Sequence, residues 1–537
     1  HRGESAKAHT PGASRHSSRH THGWLPRVGD FLPNFLAKLE ASCAANSSSV
    51  AIALGDETIT FAQLWSNIET VCANARRLGF EQGDTFIFVA QPGPKTMPVA
   101  LGLLKAGLRL AFIDPFTAVE SFQRRVDLVQ PRLVIADSKL YLLGNPRSAW
   151  LRRILKLNVV DYGAIGGAKH FVSGLRLPLH PSGSGRIEEF LQPITGEGAF
   201  SDASSSLDTD ADAVVVFTSG TTGDPKGVVH SIASLSASFD ATADAFGFMA
   251  GETLLCEPMT VGLVAMCRGV TWAIPSKQLP QRFDKFFGVP TDVIKLLGQL
   301  ESRPATAAGF KLIGMGGAPV LPSLIKRIHS VVGSNVTTLC VYGMTEILPA
   351  AIATGEEKLA NTEADILGKP VPGVEFSFAD DKEILIRGAG LMKGYLGKTP
   401  SEWHATGDLG YLDAQGRLML LGRKKNMLIR ADMNIYPSLY EPGLCTISGV
   451  ADAVIVGAPD EIGDDRVVLF VVPSEKNTDA AELVSRVERE LPAHMDQQAY
   501  PDRIEVLREM PVSGRGQKRD MRKLEAMALA LFEGGTQ

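Results

Sequence analysis

Val214-Val215-Val216-Phe217-Thr218-Ser219-Gly220-Thr221-Thr222-Gly223-Asp224-Pro225-Lys226-Gly227 is an apolar run that opens into hydroxyls, glycines and one lysine. Val214 to Phe217 reads as a buried strand. The glycines leave backbone N–H groups unshielded, the Ser and Thr hydroxyls add donors, and Lys226 adds charge, so the loop can wrap an anion. This is phosphate-binding chemistry. It is not a Walker loop, because Gly227 follows the lysine and the glycine spacing differs. A surface turn would account for Gly, Ser, Thr, Asp and Pro, but needs neither four hydroxyls nor the lysine.

The 537 residues exceed one simple core, so at least two domains are expected. Hydrophobic content of 45% with 21% charged residues fits a soluble globular protein. A net charge of −5 gives no reason to expect nucleic acid as a partner. Cysteines 43, 72, 256, 267, 340 and 445 form no CxxC pair, which points away from zinc or a disulfide framework and fits a cytoplasmic location. No apolar run is long enough for a membrane span.

Upstream, His1 to Gly23 holds five of the eleven histidines and has no apolar core, so residues 1–28 are expected to be a disordered leader. From Phe31 the pattern becomes regular. Phe35–Leu39, Leu64–Ile68 and Pro98–Ala106 carry helical spacing, while Val50–Leu54, Thr58–Phe61, Thr85–Val89, Leu110–Ile113 and Leu133–Ala136 read as strands. That alternation predicts an α/β fold. Trp150 to Lys156 is a basic amphipathic patch, read as a solvated helix face rather than a membrane-surface element. Downstream, Ile232–Phe246 has helical spacing, and Lys311 to Pro319 ends a strand in a small-residue loop. Past Gly422, Ala453–Val456 and Val467–Val472 read as strands and Ala480–Leu491 as a helix. A separate α+β domain over 424–537 is therefore expected, hinged near Arg423-Lys424-Lys425, with 29–423 as the large domain.

Four further clusters supply partners for the loop. Gly316-Gly317-Ala318-Pro319 would let a flat ring approach the backbone. Tyr342-Gly343-Met344-Thr345-Glu346 offers an aromatic face, a hydroxyl and a hard oxygen ligand for Mg²⁺. Thr406-Gly407-Asp408 presents a carboxylate suited to ribose hydroxyls, and Arg423 a planar cation for phosphate or ribose oxygens.

In this order the clusters resemble the adenylate-forming superfamily of acyl-CoA synthetases, peptide-synthetase adenylation domains and luciferases, from about residue 30 to the C-terminus. Gly368–Gly373, Met392-Lys393-Gly394-Tyr395 and Asn434–Pro437 match as well. The resemblance implies a large N-terminal α/β domain with a small mobile C-terminal α+β domain. It implies that Thr218, Ser219, Gly220, Thr221, Thr222, Gly223 and Lys226 bind nucleotide. Gly317, Ala318, Pro319, Tyr342, Gly343, Met344, Thr345, Asp408 and Arg423 join them, with Glu346 on Mg²⁺. Thr218, Lys226, Glu346 and a C-terminal lysine carry catalysis, Lys425 is the hinge, and Met259, Gly262, Gly316 and Asp432 line the acyl or coenzyme A pocket. The implied chemistry is attack of a carboxylate on the α-phosphorus of ATP, giving acyl-AMP, then displacement of AMP by a thiol.

The chain departs from this pattern at three places. The family's Gly-Lys-x-x-Arg lysine falls on Gln517 when aligned from Pro511 or Gly516, and on Lys518, after a one-residue insertion, when aligned from Leu524. Gln517 carries no charge, so the first register, which needs no insertion, predicts an impaired adenylation step. Asp432 stands where the family has glycine in the pantetheine tunnel. Glu257 to Gly262 replaces an aromatic-histidine stretch, and Met259 suits a bulky hydrophobic acid, such as one of secondary metabolism. The reading is an acyl-CoA ligase using ATP or acyl-AMP, Mg²⁺ and coenzyme A. Its rivals are an acyl-AMP ligase loading a carrier protein, a β-lactone synthetase and a non-catalytic nucleotide-binding relative.

Overall fold

The computed structural model describes residues 34–155, 157, 159–175, 177–193, 208–218, 226–276, 279–280, 282–302, 309–360, 365–430, 433–459, 465–475, 477–513 and 518–533. The chain from Asn34 onward forms one compact unit. The expected leader over residues 1–28 lies outside the described residues.

The valine run at 214 belongs to the strand Asp212–Thr218, which turns back as Lys226–Ser231. Among the described residues this hairpin joins an eight-stranded sheet in the order 394–395, 226–231, 212–218, 109–112, 85–89, 133–137, 169–173, 185–186. Strands 109–112, 85–89, 133–137 and 169–173 run parallel to 212–218. Their residues alternate between two cores, as the pleat requires. Phe86, Phe88, Leu110, Leu133 and Ile135 meet the helices Phe61–Arg77 and Met97–Lys105. Ile87, Val89, Ala111, Val134 and Ala136 meet Phe122 and Val126 of the helix Val119–Val129. Both faces are covered, so these strands read as continuous apolar runs.

A second sheet of thirteen described strands starts from the hairpin Val50–Thr60 and runs through 271–274, 253–256, 285–288 and 312–316 to Thr337–Met344. Those inner strands are parallel. From Ile347–Thr354 onward it is antiparallel and carries His404–Leu412 beside Leu418–Arg423. Helix Ile232–Phe246 lies in a core shared with Trp272 and Phe287. The expected strand through Phe61 stops one residue earlier. The Thr60 side chain accepts from Gln63 N and Gln63 returns a bond to Thr60 N, so Phe61 opens a helix.

The small C-terminal α+β domain is a three-stranded sheet, Val450–Pro459, Asp465–Pro473 and Arg503–Val506, with helices on both faces. Ala453, Ile455, Val467 and Leu469 pack on Leu483 and Val487, whereas Val454, Val456, Val468 and Phe470 pack on Leu524 and Ala528. Ser438 Oγ donates to Leu421 O at 2.6 Å, tying the helix Pro437–Leu444 to the large domain. No helix among the described residues is long and apolar enough to cross a membrane.

Candidate nucleotide site

Strand Asp212–Thr218 leads into the segment expected from the sequence to bind phosphate, and Lys226 starts the return strand opposite Thr218. The Thr218 side chain and the whole of Ser219 to Gly223 fall outside the described residues. Lys226 is therefore the visible end of the loop. Its Nζ stands 5.3 Å from the ring centroid of Tyr395, within cation–π range.

Tyr395 sits on the short strand Gly394–Tyr395, which pairs with the hairpin at Val228 and Val229. Its hydroxyl donates to Glu346 Oε1 at 2.7 Å, and Met392 N donates to Glu346 O at 2.8 Å. One segment thus grips Glu346 by side chain and backbone while lying against Lys226. Burial raises the Tyr395 pKa, and Glu346 adds to the rise, so the phenol remains a donor. Among the described residues the Glu346 carboxylate is engaged through Oε1 alone.

Tyr342, Gly343 and Met344 end the strand Thr337–Met344, and Thr345 and Glu346 turn it back into Ile347–Thr354, beside that clamp. His230 Nε2 donates to Thr345 O at 2.8 Å, and Ser234 Oγ lies 3.2 Å from Nδ1. Burial lowers the His230 pKa against the pull of Glu346, which keeps the ring neutral with its proton on Nε2. His404 is edge-on to Tyr395 at 6.2 Å. Burial lowers its pKa too, Lys226 adds to the fall and Glu346 opposes it.

Tyr342 donates to Asp408 Oδ2 at 2.8 Å. Asp408 is on strand His404–Leu412 and faces Arg423 across the register with Leu418–Arg423. Arg423 Nε forms an ion pair with Asp408 Oδ1 at 2.9 Å, and among the described residues the buried Oδ1 has no further polar partner. The residue is 3% exposed. Burial raises its pKa and Arg423 pulls it back down. A carboxylate oxygen accepts more than one hydrogen bond, so Oδ1 keeps a place for a donor. Glu383 accepts from Gly407 N at 2.9 Å and from Lys424 Nζ at 2.9 Å, joining this turn to the segment before Lys425. Lys425 follows in the short 3-10 helix Lys424–Asn426 and makes no ion pair among the described residues.

Gly316 ends the strand Leu312–Gly316, and Gly317, at φ +76°, turns the chain into Ala318 and Pro319. Met259 opens the helix Met259–Met266, half-buried against two cores. Gly262 serves packing: a Cβ there would lie 2.2 Å from the Trp272 indole. Asp432 is outside the described residues. Lys518 and Arg519 form a two-residue strand paired with Ser513 and Val512. Arg519 bonds Glu441 and Asp452, which holds that strand against the small domain. The Lys518 side chain and residues 514–517, Gln517 included, fall outside the described residues.

Sequence reasoning gave Tyr395 no chemistry although its motif was noted, and it missed His230, His404 and Glu383. Tyr395 lies 49 positions downstream of the Glu346 it bonds, and His230 lies 115 upstream of the Thr345 whose carbonyl it bonds, which no local pattern exposes.

Residues 39–396 match the model for AMP-binding enzymes and residues 440–517 the AMP-binding enzyme C-terminal domain. The 2-succinylbenzoate–CoA ligase of Listeria monocytogenes serotype 4b is 29% identical over 340 residues, covering 59% of this chain and 70% of that enzyme. The 3-[(3aS,4S,7aS)-7a-methyl-1,5-dioxo-octahydro-1H-inden-4-yl]propanoyl:CoA ligase of Rhodococcus jostii is 27% identical over 450 residues, 76% of this chain and 83% of that one. The anthranilate CoA ligase AuaEII, solved with anthranoyl-AMP, superposes with a TM-score of 0.74 at 18% identity, covering 93% of this chain and 98% of that one. The chain therefore belongs to the AMP-binding enzyme family, in the acyl-CoA ligase branch of the adenylate-forming superfamily, whose members are AMP-forming carboxylate–CoA ligases.

Proposed function

We propose that the protein activates a bulky carbocyclic carboxylic acid as its acyl-AMP and transfers the acyl group to the thiol of coenzyme A. The observation that carries this reading is the Asp408 carboxylate, buried between Tyr342 and Arg423 with room at Oδ1 for a further donor. A ribose diol supplies that donor. The ring-bearing acids named for the relatives in Listeria and Rhodococcus support the substrate class.

In the first half-reaction a substrate carboxylate oxygen bonds to the α-phosphorus of ATP and the bond to pyrophosphate breaks. Lys226 and the loop amides offset phosphate charge, so that one anion can approach another. Glu346 fits a magnesium ligand, because its carboxylate is engaged through one oxygen and held by Tyr395. Mg²⁺ binds through one or two carboxylates together with substrate phosphates, and when bound it supplies further charge neutralisation. Thr345 and Tyr342 border the same turn.

Lys518 is assigned here as the C-terminal lysine. Its strand is held by Ser513 and by Arg519, and Leu524, which sets this register, is fully buried. With Lys518 in that role the adenylation step carries its cation and is competent. In the second half-reaction the thiol sulfur bonds to the acyl carbon, AMP leaves, and the small domain turns about Lys425 between the two steps. Acid-dependent exchange of labelled pyrophosphate into ATP, followed by thioester formation with coenzyme A, is the test. Failure of every ring-bearing acid to support exchange would overturn the substrate class.

A further inference from the structure

Between Asp137 and the Arg186–Glu188 ion pair, residues 139–176 carry seven lysines and arginines and a single acidic residue, Asp161, in a chain whose net charge is −5. Inside it the helix Ala149–Leu155 buries none of its residues. Trp150 is 64% exposed and Ile154 67% exposed, and their i, i+4 spacing sets them on one face. Arg147 and Arg153 are exposed beside them. The sequence pattern suggested a helix wetting its basic side. The structure leaves the apolar side in solvent as well.

Polar contacts hold this helix in place. Arg152 Nη1 donates to Leu143 O and Gly144 O, both at 2.7 Å, at the end of the helix Ser138–Gly144. Ser148 Oγ donates to Asn145 O at 2.7 Å. Trp150 and Ile154 therefore contribute nothing to the described core, and their exposure goes unexplained by folding. Leu175 is 85% exposed too, and two residues on Leu177 N donates to Ser138 Oγ at 2.9 Å, at the start of the neighbouring helix Ser138–Gly144.

We propose that this lobe docks the protein on an anionic lipid surface, with Trp150 and Ile154 entering the headgroup layer and Arg147 and Arg153 pairing with lipid phosphates. The charge asymmetry supplies the complementarity, drawing this lobe to the surface while the acidic remainder turns away. Tryptophan suits the interface, with an apolar ring and one polar N–H, and arginine can lay its stem on acyl chains while its head stays wet. An acidic protein is the rival occupant. A protein interface of ordinary size needs about 800 Å² of shape-matched surface on each side, whereas a two-turn helix with isolated protruding side chains suits a deformable partner.

The test is co-sedimentation of the full chain with vesicles of phosphatidylcholine, with and without about one third phosphatidylglycerol. Binding is expected only with the anionic lipid and should fall when salt is raised from about 0.05 to about 0.5 M. Ile154→Asp should weaken it roughly tenfold and keep the wild-type melting temperature, having no buried contact to lose. Brominated acyl chains should quench tryptophan fluorescence, and Trp150→Phe should abolish that quenching. Equal binding to both vesicle types, no binding to either, or wild-type binding by both Ile154→Asp and Arg153→Glu would overturn the proposal. Absence of vesicle binding with retention of a purified acidic protein would assign the lobe to that rival instead.

Discussion

The Tyr395 hydroxyl donates a 2.7 Å hydrogen bond to Glu346 Oε1, and the same ring lies 5.3 Å from Lys226 Nζ. One side chain thus sets the distance between the phosphate-loop lysine and the carboxylate assigned to Mg²⁺. Tyr395→Phe removes the bond and keeps the ring. It should raise the Mg²⁺ concentration needed for pyrophosphate exchange by roughly tenfold or more, in the range of lost second-layer metal contacts. An unchanged Mg²⁺ dependence would show that the bond does not position Glu346.

Glu346→Gln should abolish Mg²⁺-dependent ATP chemistry and leave the melting temperature within a degree or so of wild type, since Tyr395 can still donate to the amide oxygen. Pyrophosphate exchange at the wild-type rate would remove Glu346 from the metal site.

Asp408 and Arg423 form a coupled pair, so their substitutions should not behave as two independent losses. Arg423→Ala leaves a buried carboxylate without its counter-charge and should cost about 1–3 kcal/mol of stability as well as AMP affinity. Asp408→Asn should separate the two effects. Burial raises the Asp408 pKa, so the folded chain holds that proton more tightly than the unfolded chain. Stability is then lost as pH climbs above the ordinary value of 3.8 and stays reduced above the folded pKa. The asparagine variant should accordingly melt higher than wild type at neutral pH while binding AMP more weakly. Calorimetry and thermal unfolding together check this.

Much of this was legible in the sequence. The valine run 214–217, the paired apolar runs at 85 and 133, and the helix 232–246 announce themselves through burial on both faces and clean spacing. The sequence also singles out Asp408 and Arg423, but not their contact. That contact depends on the register of two strands, Asp408 opposite Arg423, and sequence spacing does not fix a register. The same holds for Tyr395, whose strand joins the phosphate-loop hairpin from 160 or so residues away. Gly262 shows a different limit: sequence does not reveal that a Cβ at this position would meet the Trp272 indole.

His170, His230 and His404 all have pKa values lowered from 6.5 chiefly by burial. The unfolded chain binds protons at these sites before the folded one does. Stability should be full above pH 6.5 and decline as pH falls below it toward the folded values. His230→Asn should remove its share of that decline, and its melting temperature should vary less than wild type between about pH 7.5 and 5.5. Equal pH slopes in the two proteins would mean that His230 is not held neutral.

The most direct test of the central claim compares the two half-reactions in wild type and Lys518→Ala, with a ring-bearing acid that supports exchange in the wild type. One preorganised cation acting on the first transition state alone is worth about 10²–10³ in rate, on the scale of a lost oxyanion donor. Lys518→Ala should therefore lose pyrophosphate exchange by that factor and still convert supplied acyl-AMP and coenzyme A to the thioester at close to the wild-type rate. Wild-type exchange in the variant, or no thioester from acyl-AMP in either protein, would contradict the account.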